Sequence, residues 1–371
     1  MPEFIPGLEL SRRLYDELVR PLLDRHFAGL AHAAALIGYG SEVLGFDTAM
    51  SMDHAWCPRM QIFLREQDAE LAAPIQTMLA GELPHEFLGF PLDTVPVPGE
   101  PGVFWMKPTL TGPVQHKIVA VTLRSFIRET LNWDPAIPLA AADWLSISSQ
   151  LLGTITAGAV HFDNAGELTA LRARLAWYPH DIWLYLLVCG WQRIGQAEHL
   201  MPRAGYAGDE LGSALIGAGL VHDIMSLAFL MEMQYAPYPK WFGSAFQELA
   251  CGPALAPFLR DAQLAATWEQ REAALCDAYE MLARLQNSLG LAEALPEQVS
   301  GFYGRPFRVI HAEAFALSLC EKIVDPKMKR IAAKGLIGGL DQFSDNTDLR
   351  SHPAWRPAIR GMYFSGPPPQ G

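Results

Sequence analysis

From about Asp143 onward the chain is written in long apolar stripes of helical period, and this constrains its fold more than any other feature. Residues 167–177, 181–199, 209–233, 240–250 and 265–290 each repeat apolar side chains every three or four positions. Pro179, Pro202, Pro237, Pro239 and the Gly252-Pro253 pair punctuate them. Residues 307–320 and 325–333 complete a mostly helical domain expected over 136–362, interrupted by one short strand at 158–162. Residues 363–371 have no periodicity and read as a disordered tail.

The first 135 residues follow a different grammar. Ser11 can cap a helix carrying Leu14, Leu18, Leu22 and Phe27 on one face, with Gly29 as its stop. Strands fit residues 33–37, 60–64 and 116–122, and helices fit 67–80 and 123–131. Residues 81–113 are rich in Pro and Gly and read as loop with short strands, such as 102–106. The expected fold class is α/β plus α: a mixed-sheet domain over 1–135, then the helical domain. With 371 residues, half of them hydrophobic, the chain has core enough for two such bodies.

Forty acids against 28 Lys and Arg leave a net charge of -12, which disfavours a nucleic-acid partner. The densest basic stretch, Lys327 to Arg330, reads as a solvated helix face. The five cysteines are far apart and show no metal or redox spacing, as expected of free thiols in a reducing compartment. The amino terminus lacks the pattern of a signal peptide, and the apolar run at 182–191 is about half of a membrane span. A cytoplasmic protein with a small-molecule substrate and no membrane partner is the expectation; nothing in the sequence sets the oligomeric state.

Several motifs bear on chemistry. The apolar segment 33–37 runs into Gly38-Tyr39-Gly40-Ser41, and Ser51-Met52-Asp53-His54-Ala55-Trp56 precedes the strand at 60–64. Further on come Gly166-Glu167-Leu168 with Tyr178-Pro179, Tyr235-Ala236-Pro237-Tyr238-Pro239-Lys240-Trp241, Arg305-Pro306-Phe307, and the run from Asp341 to Asp348. Together, and in this order, they resemble the nucleotidyltransferase superfamily. Within it the likeness is to a bacterial group of unknown function, distantly similar to the kanamycin and lincosamide nucleotidyltransferases. The resemblance spans most of the chain.

It implies a nucleotidyltransferase-like sheet domain followed by a helical one, with the active cleft between them. Gly40 and Ser41 would hold the phosphates of a nucleoside triphosphate, Asp53 would ligate Mg2+, and a nucleotidyl group would pass to a hydroxyl or amine of a small molecule. Such chemistry uses two Mg2+ ions about 3.5–4 Å apart, held by paired carboxylates. Here the sequence departs from the pattern. Ala55 stands where a second acid is expected, and residues 116–122, which should supply a third, contain neither Asp nor Glu. Glu42, Asp47 and Asp163 are the remaining acids that loops could bring near.

Around this core, His54 is a candidate base, and Arg59 and Arg305 are candidate anion-binding groups. Lys240, at a helix start behind Pro239, can meet a phosphate or carboxylate while Tyr235, Tyr238 and Trp241 line a pocket. His161 with Asp163 and His222 with Asp223 are further pairs, the latter fitting a helix surface. Asp341, Asp345 and Asp348 have metal-ligand spacing, although caps and Asx turns explain them at less cost. Three readings follow. The first is nucleotidyl transfer with Mg2+ and a nucleoside triphosphate. The second keeps the fold without metal or nucleotide and runs acid/base chemistry through Asp53, His54, Tyr238 and Lys240 on a biosynthetic intermediate. The third is a noncatalytic pseudoenzyme that binds a ligand or a protein.

Overall fold

A computed structural model describes residues 2–53, 55–100 and 103–364, and of Asp53 the backbone course alone. The expectations for His54 and for residues 365–371 lie outside that range. The chain divides into two compact units, Met1–Pro138 with Leu151–Ala176, and Leu139–Gln150 with Trp177–Gly371. The α/β-plus-α class holds: a mixed sheet with its own helices, then a mostly helical region.

The first unit is built on four strands, β1 (His32–Leu36), β2 (Arg59–Leu64), β3 (Lys117–Thr122) and β4 (Ala159–Asp163), in the order β3-β2-β1-β4. β1 runs antiparallel to β2 and to β4, while β2 and β3 are parallel, with Arg59 opposite Lys117. Every residue of β1 and β2 is buried, so both faces of the sheet centre are covered. This is why these strands read as continuous runs and not as alternation. Ala34, Met60 and Ile62 pack on one face with Leu10, Leu14 and Leu79; Ala33, Ala35 and Phe63 pack on the other with Leu168.

The opening helix does not start at Ser11. Helix α1 (Gly7–Leu14) follows Pro6 and continues through a π-helical turn, Tyr15–Val19, to His26. Ser11 is wholly buried inside it and its hydroxyl meets His161 Nε2 at 2.9 Å. Next to it Tyr15 Oη lies 3.0 Å from His32 Nε2, whose Nδ1 is 3.1 Å from the Leu30 carbonyl. Burial holds both imidazoles below their ordinary pKa, His161 at about 4. They are neutral packing elements at neutral pH, joined to hydroxyls. Helix α2 (Ala72–Glu82) and helix α3 (Leu123–Leu131), capped by Thr122, complete this part. Asp163 turns away from the sheet to start α4 (Glu167–Leu175), accepting from the Gly166 and Thr169 N–H groups.

The second unit is organised by α5 (His180–Ala197), α6 (Glu210–Met231), α7 (Pro239–Glu248), α8 (Gly252–Leu264), α9 (Trp268–Ser288) and α10 (Ala312–Cys320). Helix α8 is missing from the sequence expectation because Gly252-Pro253 reads as a break. Pro253 instead occupies the first turn, where its missing N–H costs nothing. Trp191 of α5 stacks on Phe315 of α10 with ring centroids 4.4 Å apart. By length and composition α6 could cross a membrane, a feature that the run at 182–191 does not reveal. Half of its apolar window is buried, Asp223 in its middle is paired with Arg193, and the buried Arg271 packs over Gly217, as suits a core helix. Tyr363, at the start of the expected tail, is buried and donates to the carbonyls of Leu145 and Gly338.

Candidate functional site

Two places collect the residues of interest, one in each unit. In the first, β1 delivers the chain into the turn Gly38 to Gly45. Gly40 adopts φ +121°, and a Cβ there would lie 2.5 Å from Glu42 Oε2 and 2.6 Å from Arg59 Nη2. Glycine is required because an ion pair fills the space above it. Arg59 donates through Nε to Glu42 Oε1 at 2.8 Å, with Nη2 2.6 Å from the same oxygen, and both side chains are buried. The guanidinium also donates to the Tyr39 carbonyl and lies over the Tyr39 ring, 4.3 Å from its centroid. Ser41 accepts through its carbonyl from Leu44 and Phe46, and its hydroxyl is 3.5 Å from that of Ser51.

The segment carrying the single family acid is not extended. Residues Ala49–Asp53 form a 3-10 turn, Ala55 has φ +54° and donates to the Phe104 carbonyl, and β2 begins only at Arg59. Two acids in alternation on one strand face are therefore not what this backbone offers. Asp47 accepts from the Gly7 N–H at 2.7 Å and from Trp56 Nε1 at 3.0 Å. Glu42, Asp47 and Asp163 are thus each occupied by donors of the protein itself, and β3 brings no carboxylate beside β2. Among the described residues no group of three or more His, Cys, Asp or Glu is placed to hold a metal ion. The described donor set does not fit a pair of Mg2+ ions.

Lys240, Tyr238, Arg305 and Asp348 lie in the second unit, each with its own local partner. Lys240 is exposed, its ammonium 4.8 Å from the centroid of the Trp241 ring. Tyr238 Oη accepts from Trp241 Nε1 at 2.7 Å. Arg305 is exposed and lies over Phe302. Asp348 is paired loosely with His352, and Asn346 caps the helix Thr347–Ser351.

What this unit does contain is a cavity of about 320 Å³, lined by aromatic rings together with aliphatic side chains such as Leu145, Leu186 and Leu340. Trp144, Trp177, Tyr178 and Tyr235 form one cluster of rings, with Trp177 and Tyr178 each about 5 Å from Tyr235; Phe229 and Phe242 form another contact, 5.3 Å apart. Asp341 and Arg350 supply its fixed charges. Arg350 reaches Asp341 Oδ1 through Nε at 2.9 Å and Nη2 at 2.8 Å, while Asp341 Oδ2 accepts from the Ser149 N–H at 2.6 Å. Ser149 is the first residue of the helix Ser149–Thr156. Gln342 donates to the Leu186 carbonyl and Arg193 donates to the Gln342 carbonyl, which fixes the segment beside Asp341. His222 stacks on Phe242 at 5.1 Å and belongs to the lining.

Trp177 Nε1 is buried and has no hydrogen-bond partner among the described residues. A donor left in that state costs about 1–3 kcal/mol and calls for an explanation. His222, Tyr235 and Asp341 are the sequence candidates that meet here. Arg350, Trp144 and Trp177 escape sequence reasoning, though the adjacent Trp177-Tyr178-Pro179 is an aromatic signal that points to the wall.

Residues 144–242 match the model of a family described as a domain of unknown function, DUF4037. That segment carries Trp144, Trp177, Tyr178, Tyr235 and Phe242 of the cavity. No curated protein matches the chain. Among solved structures, a nucleotidyltransferase-like protein from Exiguobacterium sibiricum 255-15 is similar at 11% identity, over 76% of this chain and 77% of that one, with a TM-score of 0.32.

Proposed function

We propose that this chain binds a small organic molecule in the aromatic cavity of its helical unit, and that neither metal nor nucleotide takes part. The observation that carries this reading is the cavity itself: aromatic and aliphatic side chains with one fixed ion pair among them, within a single unit, in the size range of small-ligand sites. His222, stacked on Phe242, brings an imidazole to the lining. Ligand binding here shares with the second sequence reading a fold that works without metal or nucleotide, but uses none of that reading's residues Asp53, His54, Tyr238 and Lys240.

Nucleotidyl transfer to a small molecule is the second reading, favoured by the Gly40-Ser41 turn that directly follows β1. Calorimetric titration with a nonhydrolysable nucleoside triphosphate, with and without Mg2+, separates the two. The expected result is no Mg2+-dependent binding in the micromolar range. Metal-dependent binding that disappears in Asp53→Asn would instead establish the nucleotidyltransferase reading.

A further inference from the structure

We infer that the cavity selects organic cations, an amine or protonated ring nitrogen carried on a compact apolar body. This rests on the ligand-binding reading above and narrows it to a ligand class.

The charges of the lining point that way. Arg350 spends Nε and Nη2 on Asp341, and its side chain is 11% exposed against 24% for that of Asp341. The carboxylate is therefore the more accessible partner. Three described donors reach it, the Ser149 N–H and two from Arg350, whereas a carboxylate has about four lone-pair sites. An acceptor position is left for an ammonium or amide donor, and the unpartnered Trp177 Nε1 donor would be met by an acceptor or a ring face on the same molecule. Arg350 keeps N–H donors beyond the two given to Asp341, but its charge is matched by that carboxylate and it is the more buried of the two, and Lys240, which lies over Trp241, is not among the lining residues.

The walls add to this preference. Aromatic faces carry partial negative charge and attract a cation within about 6 Å of the ring centroid, by roughly 0.5–2 kcal/mol. Tyr178 stands edge-on to Trp144, Trp177 and Tyr235, with interplanar angles of 65°, 70° and 81°. Rings so arranged present faces in several directions around the space. A neutral ion pair beneath electron-rich rings leaves a field that favours positive charge.

Three indoles of similar size test the inference by calorimetry: tryptamine as the cation, indole-3-propionamide as the neutral form and indole-3-propionate as the anion. Tryptamine is expected to bind at least tenfold more tightly than either of the others. The joint change Asp341→Asn with Arg350→Gln, which strands no buried charge, should cut that ratio below threefold. Trp177→Leu, which alters no charge, should weaken tryptamine at least threefold and so locate it in this cavity.

Equal affinities, a preference for the propionate, or a ratio that survives the joint change would overturn the cation inference while leaving the cavity as a ligand site. Tryptamine affinity untouched by Trp177→Leu would place it elsewhere and overturn the inference as well. If none of the three binds, the inference and the reading beneath it both fall.

Discussion

Glu42→Ala is expected to destabilise the first unit by about 3–5 kcal/mol, because it strands a buried guanidinium. Arg59 and Glu42 are 4% and 2% exposed, and their contact at 2.6–2.8 Å holds the two ends of the turn between β1 and β2 together. The attraction between two such charges barely repays their desolvation, so the pair's net contribution is small while the loss of one member is costly. Removing both members by Glu42→Ala with Arg59→Met should therefore recover most of the loss. Urea unfolding of the single and joint variants measures this as strong non-additivity. A single-variant cost below about 1 kcal/mol would mean that Arg59 is not a structural cation, and its role as an anion-binding group would return.

Gly158→Ala is the second large effect, expected to cost at least about 3 kcal/mol. Gly158 has φ +71°, and an added Cβ would stand 2.1 Å from the Leu36 carbonyl oxygen at the end of β1. Its own N–H donates to Val43 at 2.9 Å, so the backbone cannot move off without breaking the join between the β1 turn and the segment leading into β4. Gly166 separates the two causes, because it has the same φ with nothing within 4 Å of an added methyl. Gly166→Ala should cost only the left-handed conformation, about 1–2 kcal/mol. Equal losses at the two positions would refute the close approach at Gly158.

Local pattern carries much of the fold. β1, β2 and β3 lie within a residue of their expected ranges, and α3 covers its expected span, because each is a short apolar run bounded by turn residues. Ser11 misleads because a serine before a periodic segment is a common cap, whereas here its hydroxyl is used inside the core by His161, 150 residues away. The site is harder to read for the same reason. Glu42 with Arg59, and Asp341 with Arg350, are pairs that depend on where the backbone turns. No spacing rule separates Asp341, which lies in the cavity, from Asp345 and Asp348, which do not line it. Lys240 and Tyr238 stand out in the sequence beside Tyr235, yet one helical start sends Tyr235 into the cavity wall and turns the other two onto Trp241.

Ligand binding among the rings of the helical unit, and not at the Gly40-Ser41 turn, can be read directly from the nitrogen–proton NMR spectrum of the tryptophan indoles. With the resonances assigned by substitution, the protein is titrated with tryptamine and separately with a Mg2+–triphosphate analogue. Trp144 and Trp177 line the cavity, while Trp56 reports on the other site through its bond to Asp47. The Trp144 and Trp177 resonances are expected to move with tryptamine, and Trp56 to stay fixed with either ligand. Movement of Trp56 with the triphosphate, with Trp144 and Trp177 unchanged throughout, would contradict binding in the cavity and return the function to the turn after β1.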